Sequence, residues 1–183
     1  MNDAKRMDII SLLGPLRRYA RALTRDEAQA DDLVQDALVR AYERRASFRT
    51  GGNLRGWLLS ILHNSFVDGR RHLAAEARCA EHIGAILETA TPAEQESRVR
   101  LQQVQAAFMG LPDEQRAALH LVAIEGLSYQ EAAAALGVPV GTLMSRLGRA
   151  RAALRAFEAG NGLTQPSPNQ ARPTLRIIGG SDV

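Results

Sequence analysis

Ser128-Tyr129-Gln130-Glu131 and Gly137 bracket a stretch of chain with almost no freedom in secondary structure. A Ser followed three residues later by Glu is a capping box, in which each side chain satisfies a free backbone N–H at a helix start. Gly137 supplies the left-handed backbone at which a helix stops, and Val138-Pro139 carries the turn onward. A second helix follows, to about Phe157. Leu143, Leu147, Ala150 and Leu154 fall on one of its sides, and Thr142, Ser145, Arg146 and Arg149 on the other. Ala133 lets the two helices approach closely, and Val138 and Leu143 fill the angle between them. Two short helices meeting at a sharp, glycine-dependent turn form a helix-turn-helix.

The same helical rhythm runs through most of the 183 residues. Ile9, Leu12, Leu13, Leu16, Tyr19, Ala20 and Leu23 predict a first amphipathic helix, with Gly14-Pro15 as a kink. A second spans about Ala28 to Arg45. Its Leu33, Ala37, Leu38, Ala41 and Tyr42 face a core, while Asp32, Gln35, Asp36, Val39 and Glu43 face outward. Gly51-Gly52 breaks the chain, and Asn53 is placed to cap a third helix carrying Trp57, Leu58, Ile61 and Leu62. A second bundle begins with Leu101, Val104, Phe108 and Leu111, and Pro112 opens a helix that Gly126 ends. The expected fold class is all-α. Two small helical domains, 1–72 and 98–158, are joined by a flexible linker, 73–97, and followed by a flexible tail, 159–183. Leu175, Ile177 and Ile178 are the apolar cluster of that tail.

Composition narrows the function classes. Apolar residues make up 45% of the chain and aromatics only 4%, which suits helices packed through Ala and Leu rather than a β-sandwich. A single cysteine, Cys79, excludes an internal disulfide and suits a reducing cytoplasm, the expected location. No apolar run approaches the ~18 residues of a membrane span, so no membrane insertion is expected. The chain does not read as an enzyme. It has no glycine-rich phosphate loop followed by Lys, and its four His (His63, His72, His82 and His120) form no convergent set with Cys79. Cys79-x-x-His82, with His72 nearby, is half a zinc site lacking a second close pair, so no metal and no cofactor are assigned.

Charge points to a polyanion once it is read by segment. The total is only +3, but residues 139–157 hold four Arg and no acid, whereas residues 1–75 mix 13 basic with 9 acidic groups. An α-helix fits the DNA major groove. There an Arg fork pairs with guanine, hydroxyl side chains reach bases or phosphates, and the free N–H groups near Gly141 and Thr142 can meet a phosphate. Arg151 and Arg155 flank that face and suit backbone contact.

The stretch LPDEQRAALHLVAIEGLSYQEAAAALGVPVGTLMSRLGRARAALR resembles region 4 of the extracytoplasmic-function (ECF) bacterial sigma factors. DEAQADDLVQDALVRAYERRASF resembles their region 2.2, and NLRGWLLSILHNSFVDGRR resembles the segment joining regions 2.3 and 2.4. The resemblance covers about residues 9–157 in the family's order. It implies a dissociable subunit of RNA polymerase that recognises promoters and opens them. Asp32, Gln35, Asp36 and Glu43 would dock on the β′ clamp helices, and region 4 would meet the β flap. Asn64 would capture an unstacked base of the −10 element in the family's loop, with Arg70 and Arg71 on phosphates. Thr142, Ser145, Arg146, Arg149 and Arg151 would read the −35 element. The resemblance further implies regulation by an anti-sigma factor. Met144 and Gly148 depart from the family pattern, which has a basic residue and a larger side chain there. Trp57, among Leu58, Ile61 and Leu62, reads as core rather than as a base-stacking platform.

Two rival readings explain less. A sigma-like interaction protein that sequesters an anti-sigma factor without binding promoters would not need Arg146, Arg149, Arg151 and Arg155. A simple helix-turn-helix repressor would leave the N-terminal resemblance unexplained.

Overall fold

Alanine and leucine dictate how the helices of this chain meet. The computed structural model describes residues 3–49, 51–79 and 96–160, with side chains over 9–49, 51–74 and 102–160. These residues form seven α-helices: α1 (Asp3–Thr24), α2 (Glu27–Glu43), α3 (Leu54–Cys79), α4 (Glu96–Gly110), α5 (Asp113–Leu119), α6 (Tyr129–Leu136) and α7 (Val140–Glu158). A 3-10 turn at Arg45–Ser47 follows α2, and a π-helical turn at His120–Ile124 continues α5. No strand occurs among the described residues. Residues 80–95, which hold His82 and most of the expected linker, lie outside the described residues, as do residues 161–183 of the expected tail.

Local chemistry sets the boundaries. Pro15 lies inside α1, which continues through it to Thr24. Arg25 then takes a left-handed φ of 63°, its N–H closing on the Arg21 carbonyl at 3.0 Å, and this turn ends the helix. Asp26 caps α2 by accepting from the Gln29 N–H at 2.7 Å. Asn53 caps α3 in the same way, accepting from the Gly56 N–H at 3.0 Å. The capping box opens α6 as expected, and Gly137, at φ 64°, ends it.

Ala30, Val34, Ala37 and Ala41 line the inner face of α2 against Leu16, Tyr19, Ala20 and Leu23 of α1 and Leu58, Leu59, Ile61 and Leu62 of α3. Small residues on facing helices bring the axes toward the short end of the usual ~8–10 Å separation. Trp57 is partly buried against this core, with its ring 5.2 Å from that of Phe48. Tyr42 departs from expectation. It is 59% exposed, because the inner face runs through Ala30, Val34, Ala37 and Ala41 and leaves Tyr42 a further 100° round the helix.

The buried cluster does not stop at the N-terminal bundle. It continues through Leu111, Ala117, Leu121, Ala132, Leu136, Leu143, Leu147 and Ala150, joining the two bundles in one core. α1 packs on α5 and on the π turn, and α3 packs on α6. At this junction the Arg116 side chain is completely buried. It donates to the carbonyls of Ala22 and Leu23 at the end of α1, to those of Met109 and Leu111 at the end of α4, and to Asp113 Oδ1 at 2.7 Å. The last carbonyls of a helix have no partner within it, and a cation there also meets the negative end of the helix dipole.

Two histidines share this interior. The Tyr19 hydroxyl and His63 Nδ1 share a hydrogen bond of 3.0 Å, and burial raises the pKa of that fully buried phenol. Burial lowers His63 from 6.5 to about 4, with nearby Arg146 adding to the shift. Burial also lowers His120 to about 4, against the opposing pull of Glu125. His120 is therefore neutral at pH 7, with Nε2–H donating to Glu125 Oε1 at 3.2 Å and Nδ1 left without a hydrogen-bond partner among the described residues.

Two predictions follow from this interior. Arg116→Ala removes a donor shared by four carbonyls at the junction and should lower stability by about 3 kcal/mol in urea unfolding. Arg17→Ala, which breaks only the exposed 3.3 Å pair with Asp31, should change it by less than ~1 kcal/mol. The pH dependence has a fixed sign. Because both histidines resist protonation in the fold, the unfolded chain binds more protons between pH 6.5 and about 4. Stability should be full above pH 6.5 and fall as pH drops through that window. Thermal melts at pH 7 and pH 5 should show a smaller acid loss for a His63→Gln, His120→Gln variant.

Candidate nucleic-acid interface

α6 and α7 meet through Gly137 and Pro139, with the Val138 N–H bonded to the Ala133 carbonyl at 3.0 Å. Ala132, Ala133, Ala135 and Leu136 are buried on α6, and Leu143, Leu147 and Ala150 on α7. Leu154 and Val138 pack partly buried against the same core. The helix-turn-helix expected from Tyr129 to Gly148 is therefore the observed geometry, with the hydrophobic wedge between its helices.

The opposite side of α7 carries Thr142, Ser145, Arg149 and Arg151, all exposed, with Arg155 a turn beyond. The Ser145 hydroxyl donates to the Gly141 carbonyl of its own helix at 2.9 Å, which leaves its oxygen facing outward as an acceptor. Met144 lies among them, 54% exposed. Arg146 differs from the rest. Its side chain is only 18% exposed and pairs with Glu114 of α5 at 2.8 Å. Gly148 is exposed, and a Cβ there would meet nothing within 4 Å, so its small size opens the face. The arrangement offers guanidinium forks and two hydroxyls along one exposed helix side, the kind of groups that phosphates and base edges take.

The N-terminal bundle carries a second polar surface. Asn64 is exposed, but it stands on α3 rather than in a loop. Arg71 is exposed, and Arg70 stands 5.9 Å over the Phe66 ring with its tip 3.4 Å from Asp113 of α5. On α2, Asp32, Gln35, Asp36 and Glu43 are exposed together with Val39, as expected. Arg40 closes on Asp36 at 2.9 Å and lies 3.5 Å from Asp68. Beside this face, Ile9, Leu38, Tyr42, Phe48, Leu54 and Trp57 line an apolar groove of about 610 Å³.

Sequence reasoning missed the residues that tie the two surfaces together. Glu125, 1% exposed at the end of the π turn, is gripped from the N-terminal bundle by Arg18 at 3.3 Å and by Arg55. Asn53 donates to Glu131 at 2.7 Å, and with Ser128 it holds the Glu131 carboxyl below its ordinary pKa. Arg25 reaches the Leu111 carbonyl at 3.4 Å and Asp113 at 3.6 Å. The available signal was weak: a lone acid after an apolar run, and arginines on a helix already read as amphipathic. For the half zinc site, the Cys79 side chain and His82 lie outside the described residues. No described helix is long and apolar enough to cross a membrane.

Comparison with known proteins accords with both halves. Residues 9–63 match the family described as the Sigma2 domain of PhyR, and residues 101–154 match Sigma-70, region 4. The chain is 37% identical over 182 residues to the ECF RNA polymerase sigma factor EcfG of Rhodopseudomonas palustris, covering 99% of this chain and 98% of that one. It is 40% identical over 141 residues to the ECF RNA polymerase sigma factor SigM of Mycobacterium tuberculosis, covering 76% of this chain and 69% of that one. The sigma factor RpoE of Bartonella quintana, solved in complex with the anti-sigma factor NepR, aligns with a TM-score of 0.74 at 33% identity, covering 86% of this chain and 98% of that one. CnrH, solved in complex with the cytosolic domain of CnrY, aligns with a TM-score of 0.61 at 28% identity, covering 88% and 92%. Two sigma-family matches stand in order along one chain, and one relative is matched nearly end to end: the chain belongs to the extracytoplasmic-function family of RNA polymerase sigma factors.

Proposed function

We propose that this chain acts as an alternative sigma factor that reads a promoter with α3 and α7 while held on core RNA polymerase through α2. The exposed side of α7 carries the reading. It presents Thr142, Ser145, Arg149 and Arg151 on one rigid helix, braced from behind by Leu143, Leu147 and Ala150. These residues, with Arg146, read the −35 element. Asn64 takes an unstacked base of the −10 element, its amide offering both donors and an acceptor to a base edge, and Arg70 and Arg71 hold phosphates. Asp32, Gln35, Asp36 and Glu43 form the acidic and polar face that meets the β′ clamp helices, and residues 98–158 meet the β flap. Two modest sites on one polymerase raise each other's effective concentration, so neither bundle needs to bind DNA tightly alone. The relatives RpoE and CnrH were each solved with a second protein bound, NepR for one and the cytosolic domain of CnrY for the other. By analogy, an anti-sigma factor covering these surfaces is the expected regulator here.

The direct test is run-off transcription from genomic promoter fragments by purified core polymerase, with and without the chain. Promoter-specific transcripts that need the chain support the reading; their absence, with an anti-sigma protein still captured, favours a sequestering role. Two substitutions sharpen the residue assignments. Asp32→Arg with Asp36→Arg should abolish core binding in a pull-down while leaving the melting temperature nearly unchanged, since both side chains are exposed. Arg149→Ala should weaken binding to the −35 element by about 1–3 kcal/mol if it pairs with a base. An equal loss on every DNA sequence would make it a phosphate contact instead.

A further inference from the structure

The exposed side of α7 carries apolar surface that its guanidinium groups do not account for. Val140 and Met144 stand four residues apart at the start of the helix, 37% and 54% exposed, so their side chains are neighbours on one edge. The wedge between the helices is filled without Met144, by Leu143, Leu147 and Ala150. Gly141 and Gly148 lie three residues before Met144 and four after it, and a Cβ at either would meet nothing within 4 Å. Met144 thus projects between two bare turns of backbone, where a duplex can approach it closely.

The chemistry of a methionine at this place is restrictive. Its thioether has no N–H or O–H to donate, so it forms no hydrogen bond with a phosphate oxygen and displaces no counterion there. The base edges of the major groove offer one apolar partner, the methyl group of thymine. Ser145, the next residue, points to the same kind of base pair. Its hydroxyl hydrogen is committed to the Gly141 carbonyl at 2.9 Å, so its oxygen is left to accept, and the N6 amino group of adenine donates in the major groove. The cytosine amino group donates as well, but a C·G pair carries no methyl. An acceptor and an apolar tip therefore stand on consecutive residues near the start of the helix, where recognition helices of this motif meet base edges.

We propose that Met144 is a specificity-determining residue of this chain, packing on a thymine methyl of the −35 element with Val140 beside it. The family pattern has a basic side chain at this position. Met144 exchanges a phosphate contact, which carries no sequence information, for a base contact, which does. Its unbranched, polarizable side chain adapts to an irregular apolar surface, and the free space at Gly148 gives it room to lie along the groove. The inference rests on α7 reading the −35 element, as proposed above, and names what one of its residues reads.

Deoxyuridine isolates the methyl group, since it differs from thymidine by that group alone and keeps the same pairing. Holoenzyme formed from core polymerase and the full chain is measured on a promoter fragment that the run-off assay shows to be transcribed. Each thymine of the −35 element, on either strand, is replaced in turn. Replacement at one thymine should weaken binding about fourfold, the value of burying one methyl group. Met144→Ala should bind the thymine and deoxyuridine fragments alike, and Met144→Leu, which keeps an apolar tip, should restore the discrimination. Met144→Lys should lose it while steepening the fall of log affinity with log salt concentration by about 0.9, the mark of one added phosphate contact. All three variants should melt with the wild type, because the side chain is exposed. A wild-type chain indifferent to every deoxyuridine, an element without thymine on either strand, or a penalty that survives Met144→Ala overturns the methyl contact and leaves the sigma-factor reading standing. If no fragment yields transcripts that need the chain, that reading falls and the methyl contact with it.

Discussion

The guanidinium of Arg116 is the group on which the arrangement of the two bundles depends. It is completely buried, yet every direction in which it can donate is met by a helix end or by Asp113. Carbonyls at the ends of α1 and α4 would otherwise lose these donors at a buried junction, where an unmet acceptor is destabilising. One planar cation answers both ends, and so it fixes where α1 stops relative to α5. The left-handed Arg25 and the capped start of α2 follow immediately from that stop. Lys would not substitute, since a point charge with three donors cannot present the same fork.

Local rules made much of the fold legible. The capping box at Ser128, the positive φ of Gly137, the Asn53 cap and the Leu143–Leu147–Ala150 stripe depend on residues within a few positions of one another, and each stands as the sequence implies. Tyr42 did not follow, because an α-helix with an apolar side wider than its contact leaves one residue at the rim, and only the partner helices decide which. The union of the two bundles was likewise hidden. Leu, Ala and Arg on an amphipathic face do not announce whether they meet a neighbour near in sequence or one nearly a hundred residues away, as Arg116 meets Ala22.

The candidate site shows the same division. The exposed row on α7 could be read from spacing alone, because the wedge residues determine which side remains. The family resemblance added the α2 face and Asn64, although Asn64 stands on helix α3. What spacing could not convey is occupancy: Arg146 has the right position on α7 but is turned against Glu114, and Arg70 leans on Asp113. Cations chosen for a polyanion are also the ones most easily borrowed by nearby carboxylates, so a charge count overstates what is free at any moment.

The π turn at His120–Ile124 adds a further consequence. Its Glu125 N–H bonds to the His120 carbonyl five residues back, so it fits one more residue into the turn than an α-helix would. A chain lacking one residue here would regain ordinary helical spacing, and everything after it would swing by about 100°. Glu125 would then leave Arg18 and Arg55, while α6 and α7 could keep their own internal packing. The length of this five-residue turn therefore governs how firmly the two bundles hold each other, separately from the DNA sequence that α7 faces.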